Sequence, residues 1–121
     1  MNRDNQIAQI SKAFALRIIK LYQFLRNEER EFTISKQILQ SGTSIGANVR
    51  ESVYAQSRAD FISKMSIALK EASETEYWLE VLNESGYIED KAFKSIYDDN
   101  NKITATLINI IKSSKKEGTK E

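Results

Sequence analysis

No proline occurs anywhere in this chain, and glycine occurs only at positions 42, 46, 86 and 118. Proline is the commonest helix breaker, because its ring removes a backbone donor and clashes with the preceding turn. Turns are therefore left to glycine, asparagine and aspartate. So few punctuating residues in 121 positions predict a few long helices. A chain of this length forms one domain. Its 40% hydrophobic and 29% charged content is that of a soluble globular protein.

The spacing of apolar residues places four helices. From Asp4 to Asn27, Ile7, Ile10, Phe14, Ile18, Leu21 and Leu25 recur at steps of three and four, a helical stripe. Ala13, Leu16, Ile19, Tyr22 and Phe24 widen that stripe, so this helix is expected to be covered on more than one side. A polar turn at 27–31 leads to a second helix from Thr33 to Ser57, with Thr33 or Ser35 as its cap. The third runs from Arg58 to Ser85. Ser57 and Asp60 resemble a capping pair, and Gly86 suits the left-handed residue that follows a helix. The fourth runs from Asp90 to Ser114. Asp98-Asp99-Asn100-Asn101 lies in its middle as a solvated face or a kink. Four helices of about 25 residues joined by short turns predict an all-α, antiparallel up-down-up-down four-helix bundle. It occupies residues 1–116, with a frayed tail at 117–121.

The second helix carries the most unusual stretch, Gln40-Ser41-Gly42-Thr43-Ser44-Ile45-Gly46-Ala47-Asn48-Val49-Arg50-Glu51. An interior glycine costs a helix about 1 kcal/mol relative to alanine. Two of them imply close approach of a neighbour, within the bundle or between subunits. Gly42, Ser44, Gly46, Asn48 and Glu51 are the candidate packing or interface residues on this helix. The alternative is a helix broken by a loop at 41–46. The Gly-Thr-Ser-Ile-Gly run lacks the lysine and the preceding strand of a phosphate loop.

Histidine and cysteine are both absent. Their absence excludes histidine-based acid–base chemistry, Ser-His-Asp catalysis and Cys/His zinc sites. Glu51, Glu71, Glu74 and Glu76 suggest a bundle carboxylate site, but di-iron bundles add histidine to their glutamates. No catalytic, cofactor or metal residues are therefore expected. The glutamates face solvent, pair with lysines such as Lys70, or are buried against Arg50 or Lys64. No apolar run reaches the roughly 20 residues of a membrane span. The expectation is a cytoplasmic protein.

Charge is segregated although the net is only +1. Residues 1–26 carry five basic side chains and one acidic, residues 71–99 nine acidic and two basic, and residues 102–121 five basic and two acidic. Arg17, Lys20, Lys112, Lys115 and Lys116, with Arg3 and Lys12, lie on the first and last helices. They form either a phosphate-binding surface or ordinary solvated lysines. Tyr77 and Trp78 point about 100° apart on a helix, so one covers a seam and the other meets a partner, or both pack internally. With Glu74 and Glu76 they complete the candidate interface residues.

The stretch at 40–51, followed by Asp60-Phe61-Ile62-Ser63-Lys64-Met65, Ile67-Ala68-Leu69-Lys70-Glu71-Ala72 and Glu74-Thr75-Glu76-Tyr77-Trp78-Leu79, resembles the bacterial four-helix-bundle family known from 23S rRNA intervening sequences. It is more distantly similar to the accessory variability protein of diversity-generating retroelements. The resemblance implies an antiparallel bundle assembled into a ring, commonly of five subunits. It implies nucleic-acid binding only weakly. The retroelement relative has a strongly basic ring, and this chain departs from that with a net charge of +1.

The leading expectation is a non-enzymatic homo-oligomer, a pentamer, serving as scaffold or interaction module, with itself or another protein as partner. The alternative is a protein that binds structured RNA or DNA through the basic first and last helices.

Overall fold

A computed structural model describes residues 2–120, with side chains from Gln6 to Gly118. It contains four helices, α1 (Asn2–Asn27), α2 (Ile34–Ser52), α3 (Arg58–Glu84) and α4 (Asp90–Lys120). The described residues include no strand. Helices consecutive in the chain pack on one another, and α4 returns to α1; among the described residues no close backbone approach joins α1 to α3 or α2 to α4. α1 touches α4 least.

The α1 stripe read from the sequence lines one side of the core. Ile7, Phe14, Ile18 and Leu25 of α1 meet Ile38, Ile45 and Val49 of α2, Met65, Leu79 and Leu82 of α3, and Ile96, Ile103 and Leu107 of α4. Fully burying a side chain of this size contributes about 1.5–3 kcal/mol, so these stripes dominate the stability.

Helix ends follow local chemistry. Ser57 has extended backbone and its side chain accepts from the Asp60 N–H at 3.0 Å. Asp60 in return accepts from the Gln56 N–H at 3.1 Å. At the other end of α3, Gly86 has φ +90°. Its N–H donates to the Asn83 carbonyl at 3.1 Å, and the Tyr87 N–H donates to that of Leu82 at 2.8 Å. These are the two bonds of a Schellman motif.

Two helix ends differ from expectation. α2 ends at Ser52, not Ser57. Val53, Tyr54 and Ala55 donate instead to Arg50, Glu51 and Ser52, three residues back, at 3.3, 3.0 and 3.2 Å. The chain tightens into a turn there so that Ser57 can start α3. α4 continues past Ser114 to Lys120. Glu117 approaches Arg58 at 4.0 Å, which ties this last stretch to the start of α3. Glu121 lies outside the described residues. α4 also runs through Asp98–Asn101 without a break, and Asn100 there is fully buried.

The start of α2 is capped by neither expected residue. Thr33 makes no side-chain cap bond. Glu31, only 9% exposed, accepts from the N–H groups of Thr33, Ile34 and Ser35 at 3.2, 3.0 and 2.7 Å. Ser35 Oγ donates to the Glu31 carbonyl at 2.9 Å. Burial pushes the Glu31 carboxyl up, but the N–H bonds from Ile34, Ser35 and Thr33 outweigh it and hold the group below its ordinary value of 4.5. A lowered pKa means that the carboxylate stabilises the fold above its unfolded pKa. That contribution is lost as pH falls through the folded value. Glu31→Ala is expected to cost about 2 kcal/mol at pH 7. The gap from the parent should shrink in urea titrations below pH 4. A gap that stays constant down to pH 2 would contradict this role.

Candidate functional site

The small-residue stretch faces inward. α2 is unbroken through 41–46, so the loop alternative does not hold. A Cβ on Gly42 would stand 2.7 Å from Ile18 Cγ1, whereas one on Gly46 would meet the Ser11 carbonyl oxygen at 3.4 Å. Both glycines therefore serve the α1–α2 contact, and Gly42 does so under the tighter constraint. Ser41 Oγ and Thr75 Oγ1, both buried, lie 2.9 Å apart across α2 and α3. Asn48 Nδ2 donates to the Ser44 carbonyl at 2.9 Å and to Ser44 Oγ at 3.1 Å, both half-buried on the same helix.

The glutamates separate. Glu51 is exposed and pairs with Lys64 at 3.1 Å. Glu74, also exposed, accepts from Trp78 Nε1 at 3.3 Å. Glu76 joins Glu80 in accepting from the Tyr97 hydroxyl, at 3.1 and 2.7 Å. The bond to Glu80, then burial, then the bond to Glu76 push the Tyr97 phenol up. Burial, followed by the charge of Glu74, pushes the Glu71 carboxyl up, against the pull of Lys70. Among the described residues no three acidic side chains converge to hold a metal ion. Of the aromatic pair, Trp78 packs on the core, while Tyr77 is 56% exposed with its ring edge-on to Trp78 at 5.0 Å.

The basic residues are not gathered into one surface. Arg17 donates to Asp99 Oδ2 at 2.6 Å and to Ser95 Oγ at 3.2 Å, so its charge is engaged between α1 and α4. Lys112 stands 13 residues beyond Asp99 on α4, about 20 Å along the helix, and Lys115 and Lys116 lie further still. Lys20 belongs with Arg17, far from these three. The side chain of Arg3 lies outside the described residues.

Two features escape a reading of the stripes. A cleft of about 690 Å³ opens between α1, the α3–α4 turn and the start of α4. Leu21, Phe24, Tyr87, Ile88 and Ile96 give it apolar walls, and Lys20, Glu29 and Glu89 stand among its charged lining. The second feature is the turn after α2, where Val53 is 71% and Tyr54 79% exposed. A smaller cleft of about 310 Å³ lies over Ser11 and Gly46 between α1 and α2, bordered by Lys12 and Arg50.

The sequence profile of the 23S rRNA-intervening sequence proteins matches residues 3–109. The chain belongs to that family. A crystal structure of a protein of unknown function from the S23 ribosomal protein family of Bacteroides thetaiotaomicron is similar over 91% of this chain and 98% of that one. The two are 58% identical with a TM-score of 0.90. No curated protein matches. The described residues of this member of the 23S rRNA-intervening sequence family form four helices and no strand. Among the described residues, no helix is long and apolar enough to cross a membrane.

Proposed function

We propose that this protein is a non-enzymatic cytoplasmic scaffold, an up-down-up-down antiparallel bundle that assembles with copies of itself into a ring. Five is the subunit number that the family resemblance implies. Pairing order supports the antiparallel topology. Gly42 and Gly46 meet Ile18 and Ser11, Ser41 and Glu51 meet Thr75 and Lys64, and Tyr97 and Asn100 meet Glu80 and Ala72. In each pair of helices the numbering runs in opposite senses.

The observation that carries self-assembly is the apolar surface left outside the core. Leu16 is 56% and Ile19 38% exposed on α1, and Ile67 is 40% and Tyr77 56% exposed on α3. α1 and α3 are diagonal in the bundle, with no close backbone approach between them among the described residues, so these exposed residues stand on opposite corners of the bundle. Patches that face away from each other suit a head-to-tail contact, which closes into a ring or continues as a filament. Leu16→Glu together with Ile19→Glu is expected to lower the solution mass while leaving the helical content and a cooperative melt intact, since both side chains are exposed. An unchanged oligomer would count against the role of α1.

The exposed lysines at 112, 115 and 116 favour a second reading, binding of structured RNA to α4. It requires affinity that falls steeply with salt and is lost in Lys112→Glu with Lys116→Glu. Binding that is indifferent to salt would remove it.

A further inference from the structure

We propose that the Val53–Tyr54 turn of one copy seats in the α1–α4 cleft of a second copy; this rests on the self-assembly reading and names a contact for it. Val53 and Tyr54 are the most exposed large apolar side chains described, at 71% and 79%. They do not sit on a loose loop. Three successive backbone bonds fix the turn, Ser52 Oγ bonds the Val49 carbonyl at 2.6 Å, and Ser57 caps the next helix. A tyrosine projecting from a fixed backbone costs little backbone freedom on docking, and tyrosine is a frequent anchor of interfaces.

The cleft is the matching anomaly. At about 690 Å³ it lies within the range of built binding sites, roughly 300–1,000 Å³, and its walls are apolar. It flanks Glu29 and the Gly86–Glu89 turn, at the far end of α2 from Tyr54. The 19 residues of α2 span about 28 Å, so a molecule does not reach its own cleft with its own turn. Charge complements shape. With Arg17 engaged by Asp99, the remaining charged lining is Lys20, Glu29 and Glu89, a net of one negative charge. Exposed Arg50, one turn before Tyr54, brings a positive one. Leu16, one turn from Lys20 on α1 and 56% exposed, extends the apolar surface alongside the cleft.

Two single variants test the contact, Tyr54→Arg on the turn and Ala92→Arg on the cleft wall. Both positions are exposed, and a helical spectrum with a cooperative melt would verify folding, since dissociation itself lowers the melting temperature. Each variant alone is expected to lose the wild-type mass and approach the 13.9 kDa of one chain. Mixed one to one, they are expected to pair, because each supplies the surface that the other lacks. An oligomeric wild type whose mass neither substitution alters would assign the cleft to a different occupant and overturn this contact alone. Loss of mass in both variants without recovery on mixing would also overturn it. A monomeric wild type would overturn both the contact and the self-assembly reading.

Discussion

Asn100→Asp is expected to be among the most damaging single-atom changes in this protein, and more so at pH 7 than at pH 4. Asn100 is fully buried in the middle of α4. Its Nδ2 donates to the Ala72 carbonyl of α3 at 2.9 Å, and its Oδ1 has no partner. Aspartate would replace the donor with an oxygen facing a carbonyl oxygen. It would also bring a charge into the core with no cation in contact. Burial raises the pKa of such a carboxyl. A raised folded pKa leaves the protein least penalised below the unfolded value, about 3.9. The penalty then grows as pH rises toward the folded value. The cost at pH 7 is expected to reach about 3 kcal/mol or more, and to be smaller at pH 4. Urea midpoints for parent and variant at both pH values measure it. A difference that does not depend on pH would show that the residue 100 side chain reaches water. Asn100→Leu, which removes the unpartnered oxygen, is expected to cost less than aspartate.

Gly42→Ala is expected to destabilise by up to about 2 kcal/mol, whereas Gly46→Ala is neutral or stabilising by up to about 1 kcal/mol. In both cases alanine favours the helix by about 1 kcal/mol. At Gly42 the new methyl would stand 2.7 Å and 2.9 Å from the two branches of Ile18. Those atoms belong to a fully buried side chain with nowhere to turn. Overpacking of this kind costs about 1–3 kcal/mol, and a valine at 42 would cost more. At Gly46 the approach is 3.4 Å, an ordinary contact. Thermal or urea unfolding of the two variants separates them. Equal effects would mean that α1 slides on α2 to make room. Ile18→Ala, which removes both branches, would combine with Gly42→Ala to cost less than the sum of the two single changes only if the clash is real.

Much of this fold is legible in the sequence because it depends on spacing. The steps of three and four in α1 named each of its buried core residues, Ile7, Phe14, Ile18 and Leu25. Ser57 with Asp60, and Gly86 with its positive φ, marked the two ends of α3 by local chemistry alone. The same logic overran α2. Val53 and Tyr54 look like a continuing apolar stripe, and only the switch to bonds three residues back reveals the turn. Glu31 was hidden because it caps α2 from within a polar turn, three positions before the first helical N–H. Asn100 resembled its solvated neighbours, since nothing local separates it from Asp99, which reaches Arg17 on another helix. The two glycines are equivalent in sequence and differ only through what α1 places opposite each. The cleft depends on how α1 meets the α3–α4 turn, which no single segment encodes. The basic residues share two helices, but α4 carries Lys112 about 20 Å from Arg17's partner.

The measurement closest to the central claim is the absolute solution mass of the intact protein by light scattering, at low and at high salt. Self-assembly through apolar surface predicts a mass several times the 13.9 kDa of one chain, five times in the proposed ring, persisting at 1 M salt. A mass of one chain under both conditions would contradict it.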